Sequence, residues 1–338
     1  MSDRILVTDA TNGGGRQIVS DTTKLRIGVS QCLLGDGVRF DGGHKRNRFV
    51  VDILNPYVNY VPVCPEVEVG MPTPREAIRL VGDPVTPELI GVQSAIDHTS
   101  SMRGWSAEKA DALSNESLDG YIFKKDSPSC GLFRVRVYNK KTGIPTRDGR
   151  GLFASAVTEV FPNLPVEEEG RLNDHQLREN FISRIFISHR WRAYLENDRS
   201  PAGLVAFHTA HKMSFLSHSP VHYRGLGHIC SRAGSDDIDA VMDDYVRAMA
   251  ACTRVLATPG KHSNVIMHLM GFIKDRMDSR DKAELLDLVD QMRNRSLPLI
   301  VPITLLKHHL NRCEVPDWVS RQVYLNPYPG ELMLRNHV

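Results

Sequence analysis

From residue 25 the chain alternates short apolar runs with loops rich in glycine, proline and charge. The run at 25–29, "LRIGV", reads as a strand, and a helix is expected over 48–54. "YVNYVPV" at 57–63 is a second strand, and the polar stretch 87–118 has room for one or two helices. "GYIFKK" is a third strand, "LFRVRVY" a further one, and "GLFASAVTEVF" a helix. Strands alternating with helices predict an α/β domain with a mostly parallel, doubly wound sheet. The segment "PNLPVEEEGRLND", with two prolines and an acidic run, reads as a linker. Beyond it the pattern becomes helix after helix. Phe181, Ile185 and Ile187 lead one, Leu285, Leu286, Val289 and Met292 stripe another, and "SLPLIVPITLLKHHL" places prolines near a helix start. The expected division is a leader at 1–23, an α/β domain at 24–165, a linker at 166–173 and an all-α domain at 174–338.

This order places chemistry. Parallel strands end on one edge of their sheet, and ligands of such folds bind outside those ends. Cys32, Cys64 and Cys130 each follow one of the three strands, so the fold is expected to bring them to one place. Three thiolates from three loops suit a 4Fe-4S cluster with one iron left without a protein ligand. They equally suit zinc with a water, or three buried small hydrophobes, and spacing does not choose among these. Glu66, two residues after Cys64 and beyond a proline, is placed to position or deprotonate water; on residue type alone it is a surface glutamate. Ser127, three before Cys130, is a substrate contact or a turn cap, with Ser129 a weaker competitor.

Composition narrows the class. The 338 residues are 41% hydrophobic and 24% charged, and no apolar run reaches the roughly 18 to 20 residues of a membrane span. Six widely separated cysteines do not form the dense framework of a small secreted domain, so reduced thiols or metal ligands are expected in a soluble cytoplasmic protein. Net charge is +2. Residues 176–338 carry 21 basic and 17 acidic side chains and eleven of the fourteen histidines. That balance permits an acidic partner such as RNA. Lys45, Arg46 and Arg48 near the first cysteine, and Lys124 and Lys125 near the third, are candidate RNA contacts or a solvated surface. His44 finishes a turn or touches substrate. The pairs His208/His211 and His218/His222 have helical spacing, but no HExxH pattern accompanies them and Pro220 breaks the second. Packing, or RNA contacts through His211, Lys212, His222 and Arg224, is the reading preferred to metal. Cys230, Cys252 and Cys313 read as structural.

Together "SQCLLGDGVRFDGGHKRN", "PVCPEVEVGMPTPRE" and "KKDSPSCG" resemble the TudS thiouracil desulfidase family over 24–165. The resemblance implies a 4Fe-4S cluster on Cys32, Cys64 and Cys130, its unique iron taking sulfur from a thiolated pyrimidine, with Glu66 and Ser127 as catalytic residues. "AFHTAHKMSFLSHSPVHYRGLGHI" resembles the helical YbgA-like domain, and the combination resembles the RudS fusions implicated in desulfidation of 4-thiouridine in tRNA. The implied activity is non-redox hydrolytic removal of sulfur from tRNA 4-thiouridine, with the helical domain assisting RNA binding. Free thiouracil or thionucleosides are the alternative substrates, and a non-catalytic iron-sulfur RNA-binding or redox-sensing protein is the alternative class. The leader carries no function in this reading, and oligomeric state is left open.

Overall fold

The computed structural model describes residues 24–338, so the expectation of a leader at 1–23 lies outside the described residues. Four strands, β1 (Leu25–Ser30), β2 (Val58–Val63), β5 (Gly120–Phe123) and β8 (Val166–Glu168), form one sheet in the order β2-β1-β5-β8, with every neighbour parallel. The expected parallel α/β sheet is therefore present. A second sheet, β4-β3-β6-β7, is built from β3 (Ile78–Val81), β4 (Glu88–Gly91), β6 (Val135–Tyr138) and β7 (Pro145–Gly149). It mixes one parallel pair with two antiparallel ones.

That second sheet departs from the pattern read along the chain. The "LFRVRVY" strand belongs to it, and Glu88–Gly91, within the stretch expected to be helical, is strand. β7 reads "PTRDG" and is mostly exposed, so no apolar alternation marks it; its pairing with β6 is what makes it a strand. The expected helix at 48–54 is a π-type turn over Phe49–Leu54. The segment expected to be a linker carries structure too: β8 occupies its first three residues as an edge of the parallel sheet, and a 3-10 turn spans Arg171–Asn173.

Among the described residues, the helices of the first half are α1 (Pro65–Glu68), α2 (Thr99–Ala112) and α3 (Leu152–Val160). The rest is mostly helical, comprising α4 (His175–Asn197), α5 (Pro201–His218), α6 (Pro220–Ser231), α7 (Ile238–Arg254), α8 (Pro259–Met270), α9 (Ser279–Arg293), α10 (Ile300–Arg312) and α11 (Asp317–Ser320). Their starts are locally encoded. Asp174, Ser200, Ser219, Asp237, Thr258 and Asp278 accept backbone N–H bonds at the first turns of α4 to α9, and proline opens α5, α6 and α8. On α9, Leu285, Val289 and Met292 face the core, whereas Leu286 is 39% exposed.

The parallel sheet is covered on both faces, as its apolar strands require. Tyr121 and Phe123 pack with Phe153, Ala154 and Val157 of α3 and with Ala110 of α2. On the opposite face Leu25, Ile27, Val29 and Ile122 pack against Phe181, Ile182 and Ile185 of α4, and against Tyr328, Leu332 and Leu334 near the C-terminus. One face of the sheet is thus covered in part by residues C-terminal to 174. Two further cores, among α4 to α7 and among α5, α8, α9 and α10, hold the remaining helices.

Candidate cysteine-lined active site

The register of the parallel sheet explains the convergence of the cysteines. Ser30, the last residue of β1, pairs with Val63, the last of β2, and Val29 pairs with Ile122 of β5. Cys32, Cys64 and the loop bearing Cys130 therefore leave the sheet at one edge. All three line a cavity of about 300 Å³, shared with Glu66, Ser127, Arg39, Lys45, Arg75, Lys124 and Lys125.

Each cysteine is held by its own local device. Cys64 stands at the start of α1, its N–H bonded to Glu68 Oε1 at 3.2 Å. Its sulfur lies 3.6 Å from Glu66 Oε2. Lys45 N donates to Cys32 O at 2.8 Å, which folds the basic turn back over the first cysteine. Cys130 closes a tight loop in which Ser127 Oγ accepts from Ser129 N at 3.3 Å and from Cys130 N at 3.0 Å. That loop sits directly on Gly151: a Cβ there would fall 2.4 Å from Ser129 O, so only glycine admits the approach.

Burial governs the thiols. It pushes Cys32 up to about 11 against the opposing effect of Lys124, and pushes Cys64 up to about 12, with the Glu66 carboxylate adding to both. Cys130 lies higher still, raised by burial, then by Glu66, while a hydrogen bond with Ser30 opposes the shift. Three neutral thiols crowded in one cavity become ligands only when a strong positive centre replaces their protons. Among the described residues no three His, Cys, Asp or Glu side chains are arranged to hold a single metal ion. Three thiols brought from three separate loops are a donor set that fits a cluster, which bonds each cysteine to a different iron.

Residues 27–169 match the 2-thiouracil desulfurase family, and residues 212–329 match a family described as protein of unknown function DUF1722. The two matches follow one another along the chain, the first half being similar to 2-thiouracil desulfurase and the second to DUF1722. Among curated proteins it is 28% identical over 167 residues to "Uncharacterized protein YbgA" of Escherichia coli (strain K12), covering 49% of this chain and 98% of that one. It is 27% identical over 151 residues to "Uncharacterized protein YbbK" of Bacillus subtilis (strain 168), covering 43% and 97%. Among solved structures, the 4Fe-4S-dependent thiouracil desulfidase TudS is 28% identical, covering 44% of this chain and 94% of that one at a TM-score of 0.37. No helix among the described residues is long and apolar enough to cross a membrane.

Within the desulfurase-like half, Glu66 and Ser127 both face the cavity, but their partners differ from a simple pair. Ser129 Oγ donates to Glu66 Oε1 at 2.7 Å, fixing the carboxylate, while the Ser127 oxygen is occupied as a loop cap and its hydroxyl hydrogen is left to donate. The weaker competitor in the sequence is thus the residue that touches Glu66.

The acidic run 167–169 had no role in the linear reading, yet its three glutamates are 6%, 5% and 7% exposed. Glu169 holds the cavity's far wall, accepting from Lys124 Nζ at 2.6 Å and Lys125 N at 2.7 Å. Glu168 Oε1 accepts from Leu132 N at 2.8 Å and Phe133 N at 3.0 Å, just after Cys130; burial nonetheless raises its carboxyl. The signal available in sequence was their position after Val166, where a parallel edge strand would end beside the others.

The expected basic rim divides. Lys45 and Lys125 are exposed and line the cavity, and Arg48 is exposed nearby in the chain. Arg46 pairs with Asp52. Lys124 is not a free rim cation, because Glu169 and the carbonyl of Lys125 hold its ammonium. His44 is exposed and its Nδ1 accepts from Arg46 N at 3.2 Å, which is the turn-finishing role.

In the YbgA-like half the histidines face their own partners. His211 is 0% exposed and bonded to Phe207 O, so of the two readings, packing or RNA contact, it takes packing. Lys212 lies over the Trp318 ring at 3.3 Å. His208 meets Tyr245 OH, His218 meets Val255 O, and His222 meets Ser219 Oγ. Cys230 and Cys252 are buried in the core among α4 to α7, and Cys313 packs against the other core, among α5, α8, α9 and α10.

Proposed function

We propose that this protein is an iron-sulfur desulfidase that hydrolytically removes sulfur from thiolated uracil, with 4-thiouridine in tRNA as its substrate. The observation that carries the reading is the meeting of Cys32, Cys64, Cys130, Glu66 and Ser127 on one cavity at the carboxyl edge of the parallel sheet. The match of residues 27–169 to the 2-thiouracil desulfurase family supports the same chemistry.

Cys32, Cys64 and Cys130 would hold a 4Fe-4S cluster, leaving one iron without a protein ligand. When bound, that iron supplies a Lewis acid suited to thiocarbonyl sulfur. Glu66, held by Ser129 and lying beside Cys64, accepts a proton from water and directs its oxygen at the carbon bearing sulfur. The Ser127 hydroxyl donates to a heteroatom of the pyrimidine. One C–S bond is exchanged for a C–O bond, water is consumed and hydrogen sulfide is released, so no net electrons are needed. Lys45 and Lys125 at the cavity favour a phosphate-bearing substrate, and a base swung out of its stack is the form an enclosed cavity accepts.

A second reading, with free 2-thiouracil as substrate, is favoured by the family's own name and by a cavity that accommodates a single base. Anaerobically reconstituted protein, expected to carry about four irons and four sulfides per chain, separates the two. Given bulk tRNA, it should lower 4-thiouridine and raise uridine in digested nucleosides. Turnover confined to the free thiobase establishes the second reading, and activity in a zinc-loaded, colourless protein overturns both.

A further inference from the structure

A second cavity, of about 280 Å³, lies at the junction of the two halves and on the opposite side of the sheet from the cysteines. Its walls come from the loop between α3 and β8, from α4 and from α7. Because that loop feeds the start of β8, and β8 runs parallel to its neighbours, the cavity sits at the amino edge, not the carboxyl edge.

Its composition is unusual for a gap between domains. Arg184 lines it, and among the described residues no carboxylate or hydrogen-bond acceptor is within bonding distance of its guanidinium. Burial lowers Arg184 to about 10, the neighbouring Arg254 adds to that, and only Glu167 opposes it. Glu167 is already engaged by Arg171 Nε at 2.7 Å. Arg254, bonded to Pro162 O at the same loop, adds a second positive charge and no neutralising one. Ser188 and Asn163 also line the cavity, and neither side chain forms a hydrogen bond among the described residues. The rest of the wall is mostly apolar, with two rings among aliphatic side chains such as Ile187, Val246 and Met249: Phe161, and Trp191 held flat by stacking on Tyr245 at 5.4 Å.

A half-buried guanidinium without a counter-charge is costly, and proteins retain such a group where a ligand completes it. Arginine presents a planar fork matched to carboxylate and phosphate oxygens, and pockets at domain junctions are common ligand sites. We propose that this junction cavity is a second binding site, for a small oxyanion, carboxylate or phosphate ester, carrying a flat apolar body. Arg184 takes the oxyanion, Asn163 and Ser188 complete its hydrogen bonds, and the ring lies against Trp191 and Phe161. Since α4 packs on the sheet that carries the cysteines, a ligand here clamps the two halves together.

Isothermal titration of the full chain with phenyl phosphate and with benzoate, against benzyl alcohol as the neutral ring, tests this. At least one anion binds saturably, the alcohol does not, and Arg184→Gln weakens binding about tenfold or more, the loss of one charge-assisted contact. Arg184→Met leaves the unliganded melting temperature unchanged or raises it, because a buried unpaired charge has been removed. Ser188→Leu fills the cavity, keeps Arg184 and abolishes binding. Absence of binding by both anions, equal binding of the alcohol, or unchanged affinity in Arg184→Gln or Ser188→Leu overturns the proposal. So does a marked fall in the unliganded melting temperature of Arg184→Met. If tRNA alone loses affinity in Arg184→Gln, the group bound is an RNA phosphate and the small-ligand site is overturned.

Discussion

Glu66 is exposed enough to meet water yet is tied on one oxygen to Ser129 and lies against the Cys64 sulfur on the other. A carboxylate so fixed is a positioned base, and two substitutions divide its roles. Glu66→Gln keeps an oxygen for Ser129 but accepts no proton, so turnover should fall by about 10²- to 10⁴-fold with iron and sulfide content unchanged. Ser129→Ala leaves the base free to rotate, and a smaller loss of about tenfold is expected, in line with one lost hydrogen bond. Equal losses for the two, or loss of the cluster's absorbance in Glu66→Gln, would show that Glu66 supports the loops rather than the chemistry. Glu66 was legible as a candidate because it follows Cys64 by two residues. Its pairing with Ser129 rather than Ser127 was not, because serines two positions apart in a proline-containing loop diverge by an angle that only the folded loop sets.

At the scale of elements, β8 is the instructive one. Its acidic run and flanking prolines suggest a solvated linker, yet pairing with β5 brings Glu167, Glu168 and Glu169 under cover, where backbone N–H groups and lysines satisfy them. Glu168 carries both N–H groups immediately beyond Gly131. Glu168→Ala should leave them unpaired and cost about 1 to 3 kcal/mol, seen as a lower urea midpoint together with reduced iron retention. A stable variant that keeps its full complement of iron would show the loop to be held by other contacts. The same lesson applies to β7, whose exposed sequence is a strand only because β6 lies beside it. Helix starts, by contrast, rest on local chemistry, since Asp174, Ser200 and Ser219 cap their helices through bonds spanning three residues.

Across the whole molecule the two halves are joined by more than a connecting segment. Asp119, just before β5, is fully buried and accepts from Arg26 N at 2.8 Å and from Arg192 Nε and Nη2, each at 3.2 Å, with His189 Nδ1 at 3.0 Å. β1, β5 and α4 meet on that one carboxylate. Asp119→Ala should destabilise the chain by about 3 to 5 kcal/mol, the cost of stranding buried partners, measured by chemical denaturation. A change under about 1 kcal/mol, the range of exposed pairs, would mean that the junction rests on apolar packing alone. Removing everything after residue 174 would also strip Phe181, Ile182 and Ile185 from the sheet. A test of the helical half in substrate choice therefore needs surface substitutions, not truncation.

Acid should act on the helical half first. Burial lowers His208 and His218 to about 4 and His211 to about 3, from 6.5. Between pH 6.5 and about 4 the unfolded chain binds protons that the folded chain refuses, so stability present above 6.5 is lost as pH falls. Each histidine contributes up to about 1.4 kcal/mol per pH unit in that window. Urea midpoints falling from pH 7 to pH 5, with a smaller fall in His218→Gln, would bear this out, and a flat profile would not.

By itself the sequence determined what short-range chemistry can write: strands followed by cysteines, prolines near a helix start, the change from alternation to helical periodicity, and three motifs in order. The tertiary structure decided whatever depends on partners far apart in the chain. Those decisions include the second sheet, the burial of the three glutamates, the hold of Ser129 on Glu66, the sharing of the sheet's core with α4, and the placing of Arg184 at the junction cavity. The physical reason is that burial and pairing belong to a position in space. A residue's own type and its near neighbours state what it is able to do, and the opposing surface settles which of those things it does.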